Sequence, residues 1–92
     1  MIDYKTIRPD IREALDRYAS NGIPTGDFLR AVLSDDLMEA VCRADDDNIL
    51  TIHSICGYIC NELPAGCHGS PEAYKAWIEK HKATREAKEA PA

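Results

Sequence analysis

The sequence predicts an all-α fold, a small compact helical domain of about four to five helices. Apolar residues recur three and four positions apart in several segments, which is the period of an amphipathic helix. These segments follow prolines, serines or aspartates, which favour helix starts. A chain of 92 residues makes one domain. We therefore expect a single helical domain at residues 1–82 and a frayed or disordered tail at 83–92, where no apolar face continues.

The first half of the chain predicts two helices separated by a turn. The first runs from residue 9 to about residue 20, opens near Pro9 and stops at Asn21-Gly22. Ile23-Pro24-Thr25-Gly26 then forms a turn, and Thr25 or Asp27 caps a second helix. Ser34-Asp35-Asp36 either kinks this helix or restarts it, because all three residues prefer helix caps to helix interiors. A short apolar stripe follows at 37–44.

The second half of the chain predicts two further helices. Asp45-Asp46-Asp47-Asn48 caps a helix at about 47–63, although its many β-branched residues leave a strand as the alternative. The inner face of this helix is expected to be Ile49, Ile52, His53, Cys56, Ile59, Cys60 and Leu63. After a loop at 64–69, Ser70-Pro71-Glu72 starts the last helix. That helix places Tyr74, Trp77, Ile78 and His81 on one side.

Charge and length limit the classes of partner. Sixteen acidic residues against eleven basic ones give a net charge of −5, which disfavours DNA and long RNA but allows a small anionic ligand. No stretch approaches the roughly 18 apolar residues of a membrane span, and the first residues do not resemble a secretion signal. We expect a cytoplasmic protein with no membrane partner. A chain this short has a thin core, which favours association with further copies.

Zinc-ligand residue types occur close together at Cys56, Cys60, Cys67 and His68. Their spacing suits ordinary packing in an apolar helix face at least as well as a zinc site, so we expect buried, reduced thiols, no metal and no cofactor. Whether these four residues ever bind zinc stays open here. The acidic run at 45–48 does not match a calcium loop, because Ile49 and Leu50 occupy positions that need a ligand and a glycine.

Two residues have both a structural and a functional interpretation. His68 stands in a Gly-rich loop before a helix start, where it is either a surface residue or part of an anion site. Tyr18 ends a helix beside the turn at 23–26, where its ring either packs in the core or stacks on a base. No complete catalytic motif occurs, so the protein is not expected to be an enzyme.

Several stretches together resemble a phage family. They are Ala14-Leu15-Asp16-Arg17-Tyr18, Gly22-Ile23-Pro24-Thr25-Gly26-Asp27-Phe28-Leu29-Arg30-Ala31-Val32-Leu33, Asp36-Leu37-Met38-Glu39-Ala40, Arg43-Ala44-Asp45 and Gly69-Ser70-Pro71-Glu72-Ala73-Tyr74-Lys75-Ala76-Trp77. The chain resembles the second anti-CBASS protein family over roughly residues 10 to 80. Members of that family are small phage proteins that sequester the cyclic oligonucleotide signals of bacterial CBASS immunity.

The resemblance implies a helical protomer in a homohexamer, located in the cytoplasm of the infected bacterial host. Cyclic dinucleotides would lie between neighbouring protomers and cyclic trinucleotides at separate sites, trapped and not cleaved. Tyr18 would stack on a base, and the Gly69-Ser70 loop and Lys75 would lie near the trinucleotide. With the neighbouring turns and loops included, the expected ligand-binding residues are Tyr18, Pro24, Thr25, Gly26, Asp35, His68, Gly69, Ser70 and Lys75.

One position departs from the pattern that the resemblance implies. A basic phosphate contact is expected soon after the second helix, where this sequence has Ser34-Asp35-Asp36. We expect a neighbouring protomer to supply that contact from Arg12, Arg17, Arg30 or Arg43. The alternative function is a phage or prophage protein-interaction module that inhibits or adapts a host protein through an apolar helix face.

Overall fold

The structure is a computed structural model that describes residues 4–89, with side chains described to Thr84. Within this range the chain is all-helical, with no strand, as the sequence predicts. The described range contains six α-helices, where about four to five are expected from the sequence. They are α1 (Pro9–Asn21), α2 (Asp27–Leu33), α3 (Leu37–Arg43), α4 (Asp46–Leu50), α5 (Ile52–Glu62) and α6 (Pro71–Glu89). Short 3₁₀ helices lie at Tyr4–Thr6 and Ala65–Cys67.

Helix α1 ends on a glycine that also contacts α6. Gly22 has a left-handed backbone (φ 66°), and its N–H donates to the carbonyl of Tyr18 at 2.8 Å. A Cβ atom at Gly22 would lie 2.4 Å from the Cβ of His81. The glycine therefore serves both the helix end and the close approach of α1 to α6.

Helices α2 and α3 are separate elements joined by a tight turn. Asp35 adopts a left-handed conformation (φ 61°), and the carboxylate of Asp36 accepts the N–H of Glu39 at 3.2 Å. The Ser34-Asp35-Asp36 segment thus restarts the helix instead of kinking it. The expected cap of α2 is wrong, because Gly26 occupies the N-cap position and neither Thr25 nor Asp27 makes a side-chain cap bond.

The helix expected at 47–63 is interrupted, which corrects the prediction of one continuous helix. Asp45 caps α4 by accepting the N–H of Asn48 at 2.8 Å, but the helix breaks at Thr51. The N–H of Thr51 donates to the carbonyl of Asn48, and its hydroxyl donates to the carbonyl of Asp47 at 3.1 Å. These local bonds compete with the continuous helical ladder.

The break at Thr51 changes which side of α5 is buried. Ile55, Tyr58 and Ile59 lie in the core, whereas His53, Cys56 and Cys60 are exposed. The expected inner face is therefore wrong at these last three positions and also at Ile49, which is exposed on α4. Tyr58 sets the orientation, because its ring meets the edge of the Tyr4 ring at 5.2 Å and its hydroxyl donates to Asp16. Of the three cysteines weighed as zinc ligands and expected to be buried, only Cys67, which follows α5, is buried.

Helix α6 begins as the sequence predicts. The hydroxyl of Ser70 accepts the N–H of Ala73 at 3.0 Å, and Pro71 is the first helical residue. The helical backbone continues to Glu89, so no helix end marks the boundary expected after residue 82. Fraying of residues 83–89 stays a prediction, and residues 90–92 lie outside the described part of the chain.

The core lies between α1, α2, α5 and the first half of α6. Its fully buried side chains are Leu15, Tyr18, Leu33, Ile55 and Cys67. Helix α3 contributes only Ala40 to it, so the apolar stripe expected at 37–44 is largely exposed, with Leu37 at 69% and Met38 at 72% exposure. None of the helices in the described range has the length and apolar character needed to cross a membrane.

Candidate functional site

Tyr18 belongs to the core of the protomer. Its side chain is fully buried, its hydroxyl donates to the carbonyl of Cys67 at 2.7 Å, and its ring stacks on that of Tyr74. The two ring centroids lie 5.0 Å apart and the ring planes differ by 14°. Burial raises the pKa of the Tyr18 phenol. The expectation that Tyr18 stacks on a base is therefore wrong for this fold, because its ring and its hydroxyl are fully buried and already have partners within the chain.

The turn at 23–26 contacts Tyr74 instead of forming a pocket around Tyr18. The N–H of Thr25 donates to the hydroxyl of Tyr74 at 3.0 Å, and the two hydroxyls lie 3.2 Å apart. Pro24 and Gly26 are exposed beside it. Tyr74 thus joins two of the expected ligand-binding residues, Tyr18 and Thr25, through its ring and its hydroxyl.

A cleft of about 530 Å³ opens between α6 and the α2–α3 pair, and we call it the Lys75 cleft. One wall is the first part of α6, which contributes Pro71, Tyr74, Lys75 and Ile78. The opposite wall consists of Arg30, Ala31, Ser34, Asp36 and Glu39. Its volume falls in the range of about 300–1,000 Å³ that is typical of small-molecule sites.

The Lys75 cleft carries two cations and two anions. Arg30 forms an ion pair with Asp27 at 3.1 Å, and both side chains remain more than half exposed. Among the side chains described, to Thr84, Lys75 has no ion-pair partner. Its ammonium group is therefore available to an anionic ligand, since none of the carboxylates among these side chains lies within ion-pair distance of it.

A second cleft, of about 300 Å³, brings together three of the expected ligand-binding residues. Asp35, His68 and Gly69 line it with Val32, Cys56, Ile59 and Cys60, and we call it the His68 cleft. The N–H of Gly69 donates to the carbonyl of Leu33 at 2.8 Å, which fixes the loop against the end of α2. Lys75 lies in the other cleft, so the expected residues do not form one site.

The thiol of Cys56 in the His68 cleft is not activated as a nucleophile. Burial raises the pKa of the Cys56 thiol, and nearby Cys60 and Asp35 raise it further. All four cysteines are free. Within the described residues, no group of three or more His, Cys, Asp or Glu side chains is placed to hold a metal ion.

Ser70 has a structural role at the start of α6. Its hydroxyl accepts the N–H of Ala73, and Pro71, its neighbour, lines the Lys75 cleft. Asp36 lines the Lys75 cleft and Asp35 lines the His68 cleft, and both line a third, smaller opening of about 70 Å³. The turn between α2 and α3 therefore contributes to both named clefts.

Sequence reasoning missed several residues of the Lys75 cleft as site residues. The sequence places Tyr74 on an apolar helix face, Asp36 in the segment that kinks or restarts a helix, and Glu39 only in a stretch that carries the resemblance. A usable signal was present on α6, because residues 71, 74, 75 and 78 have the spacing of one helical face. Nothing in the local sequence indicates that α2 and α3 close the other side of the cleft.

The fold and the two clefts define a small all-α protein with a ligand-sized opening that contains both charged and apolar groups. Comparison with protein-family models, curated proteins and solved structures gives no match. The function therefore has to be argued from the site and from the resemblance in sequence.

Proposed function

We propose that the protein binds and sequesters cyclic di- or trinucleotides without cleaving them. By removing these second messengers it blocks activation of CBASS antiviral effectors in the cytoplasm of the infected bacterial host. The observation that carries the proposal is the Lys75 cleft, whose size and mixed lining suit a nucleotide. The resemblance of residues 10–80 to sequestering phage proteins supports the choice of ligand.

The chemistry of the cleft supports phosphate and base binding at the same time. Lys75 offers an ammonium group with no ion-pair partner among the described side chains, and the guanidinium of Arg30 is on the opposite wall. Together they complement the phosphates of a cyclic nucleotide. Ala31 and Ile78 supply apolar surface against which a base can pack. Trapping without cleavage accords with a sequence that carries no complete catalytic motif.

We propose further that the protomers assemble into a homohexamer. Several large apolar side chains are exposed on the protomer, including Leu37, Met38 and Leu50, the last at 83% exposure. Covering such residues on association is favourable, and a small domain has little other means of burying them. Light scattering should then give a mass several times the 10.2 kDa of one chain.

Binding tests the proposal directly. Titration calorimetry with cyclic di- and trinucleotides should show binding to the wild-type protein, and heating the complex should release the ligand intact. Lys75→Ala should weaken binding by about tenfold or more, because a charge-assisted phosphate contact is lost. Lys82→Ala is the matched control, since Lys82 is exposed on the same helix and does not line the cleft.

The alternative is a protein-interaction module that uses the exposed apolar side of α3. Leu37, Met38 and Val41 are the residues that favour it. A protein that binds no cyclic nucleotide and is monomeric in light scattering would support this alternative and contradict the proposed sequestration. Release of a degraded nucleotide would contradict both proposals and indicate a hydrolase.

A further inference from the structure

Two carboxylates line the Lys75 cleft, which is unexpected for a site that takes an anion. Asp36 and Glu39 lie on the wall opposite α6. A carboxylate repels phosphate, but it is a strong acceptor for N–H donors. The carboxylates therefore suit a part of the ligand that is rich in N–H groups, while Lys75 suits the phosphates.

Each of these carboxylates has one oxygen committed to the protein. Oδ1 of Asp36 accepts the N–H of Glu39 at 3.2 Å, and Oε1 of Glu39 accepts from Nε of Arg43 at 2.7 Å. Among the described residues, neither Oδ2 of Asp36 nor Oε2 of Glu39 has a hydrogen-bond partner. One oxygen of each group is thus held in place, and the other is free to accept from a ligand.

The bases differ in what they offer to a carboxylate. Guanine presents two adjacent N–H donors on its Watson–Crick edge, the ring N1–H and the exocyclic amino group, and a carboxylate accepts both. Adenine presents one amino group beside a ring nitrogen that is itself an acceptor, and this nitrogen repels a carboxylate. A site with fixed acceptors discriminates strongly against a ligand that lacks the matching donor.

Resting on the proposed function, we infer that the Lys75 cleft selects guanine-containing cyclic dinucleotides over adenine-only ones. The free oxygens of Glu39 and Asp36 accept one Watson–Crick N–H group of guanine each, and Lys75 contacts the phosphate. The helix cap made by Asp36 and the ion pair between Glu39 and Arg43 orient these acceptors. In each side chain, one oxygen is bonded within the protein and the other accepts from the ligand.

Calorimetry on the full-length protein with cyclic di-GMP and cyclic di-AMP tests this selection. Wild type should bind cyclic di-GMP about tenfold or more tightly than cyclic di-AMP. Glu39→Gln replaces one acceptor oxygen by a donor at constant size and should bring the two affinities close to equality. Asp36→Asn keeps an N-capping side chain and should reduce the preference to a smaller extent.

Controls separate specificity from folding. Glu62→Gln changes an exposed glutamate outside the cleft and should leave the preference unchanged. Circular dichroism on each variant verifies helicity, and the ratio of two affinities is insensitive to a general loss of folded protein. Equal wild-type affinities for the two ligands would overturn the inference and leave sequestration standing.

Two further outcomes would also count against the inference. A guanine preference that survives in both Glu39→Gln and Asp36→Asn would overturn the assignment to these carboxylates. Binding of neither ligand, nor of any other cyclic nucleotide in the panel, would defeat the proposed function and this inference with it.

Discussion

The sequence around Tyr18 is compatible with both a core position and a ligand-binding position for its ring. The Pro-Thr-Gly turn next to it would allow the ring to lie either at the edge of a pocket or in the core. The deciding contacts come from far along the chain, at Cys67 and Tyr74, which are 49 and 56 residues away. Because those contacts occupy the hydroxyl and one ring face of a fully buried side chain, we expect Tyr18 to affect stability and not ligand binding.

Substitutions at Tyr18 should follow that structural role. Tyr18→Ala leaves a cavity in the core and should lower the free energy of unfolding by about 3–5 kcal/mol, as for other large aromatic residues. Tyr18→Phe removes only the hydroxyl, with its hydrogen bonds to the carbonyls of Cys67 and Tyr74, and should cost about 1–2 kcal/mol. Denaturant unfolding measures both values.

Binding by the Tyr18→Phe variant provides the control. The ring stays in place, so the affinity for a cyclic nucleotide should match that of wild type. A large loss of affinity in Tyr18→Phe at unchanged stability would restore a direct ligand role for the hydroxyl.

At the scale of elements, the predictable features were those encoded by neighbouring residues. The start of α6 follows from Ser70 and Pro71, and the end of α1 follows from Gly22, because caps are local interactions. The buried side of α5 was not predicted, because it is set by Tyr58 packing on Tyr4 from a distant part of the chain. The Lys75 cleft was missed for the same reason, since its two walls are separated in sequence.

Asp45 connects the start of α4 to the segment before α1. Its carboxylate accepts the N–H of Asn48 and forms an ion pair with Arg8 at 3.1 Å. The backbone hydrogen bond from Asn48 and, to a smaller extent, Arg8 lower the pKa of Asp45 below its ordinary value of 3.8. A lowered pKa in the folded state means that ionised Asp45 stabilises the fold.

The pH dependence follows from the direction of this shift. The stabilisation is present above the ordinary pKa of Asp45 and is lost as the pH falls through the lowered folded-state value. Asp45→Ala should therefore reduce the Tm at about pH 7, and the difference from wild type should shrink towards about pH 2. Thermal melts across this range measure the difference.

Asp46→Ala is the matched control for this experiment. Asp46 is the next residue, exposed in the first turn of α4, and makes no side-chain hydrogen bond or ion pair among the described residues. Its substitution should change the Tm less at about pH 7. Equal effects of the two substitutions would show that the cap and the Arg8 contact do not stabilise the fold.

At the scale of the whole molecule, the cysteines report which surfaces are covered. Cys42, Cys56 and Cys60 are exposed on the protomer, and Cys67 is buried. A thiol reagent should label the first three in the native state and Cys67 only after unfolding. At neutral pH, Cys56 should react more slowly than Cys42. Although the residue is exposed, partial desolvation of its sulfur raises the pKa of its thiol. Intact-mass spectrometry counts the labels.

The proposed assembly predicts a concentration dependence of this labelling. Thiols at a contact between protomers should be protected at high protein concentration and become reactive on dilution. Labelling that is independent of concentration would place all three exposed thiols outside any interface. Native labelling of Cys67 as fast as that of Cys42 would contradict the packing of the loop against Tyr18.

Trp77 is the one tryptophan of the chain, and it sits at the contact between α6 and α1. Its indole Nε1 donates to the carbonyl of Tyr18 at 2.9 Å, and its ring lies against that of His81, with centroids 4.9 Å apart. The intrinsic fluorescence of the protein therefore comes mainly from this contact. Separation of α6 from α1 would expose the indole to water and move its emission to longer wavelengths, so an unlabelled sample reports optically on the helix pair that supports the Lys75 cleft.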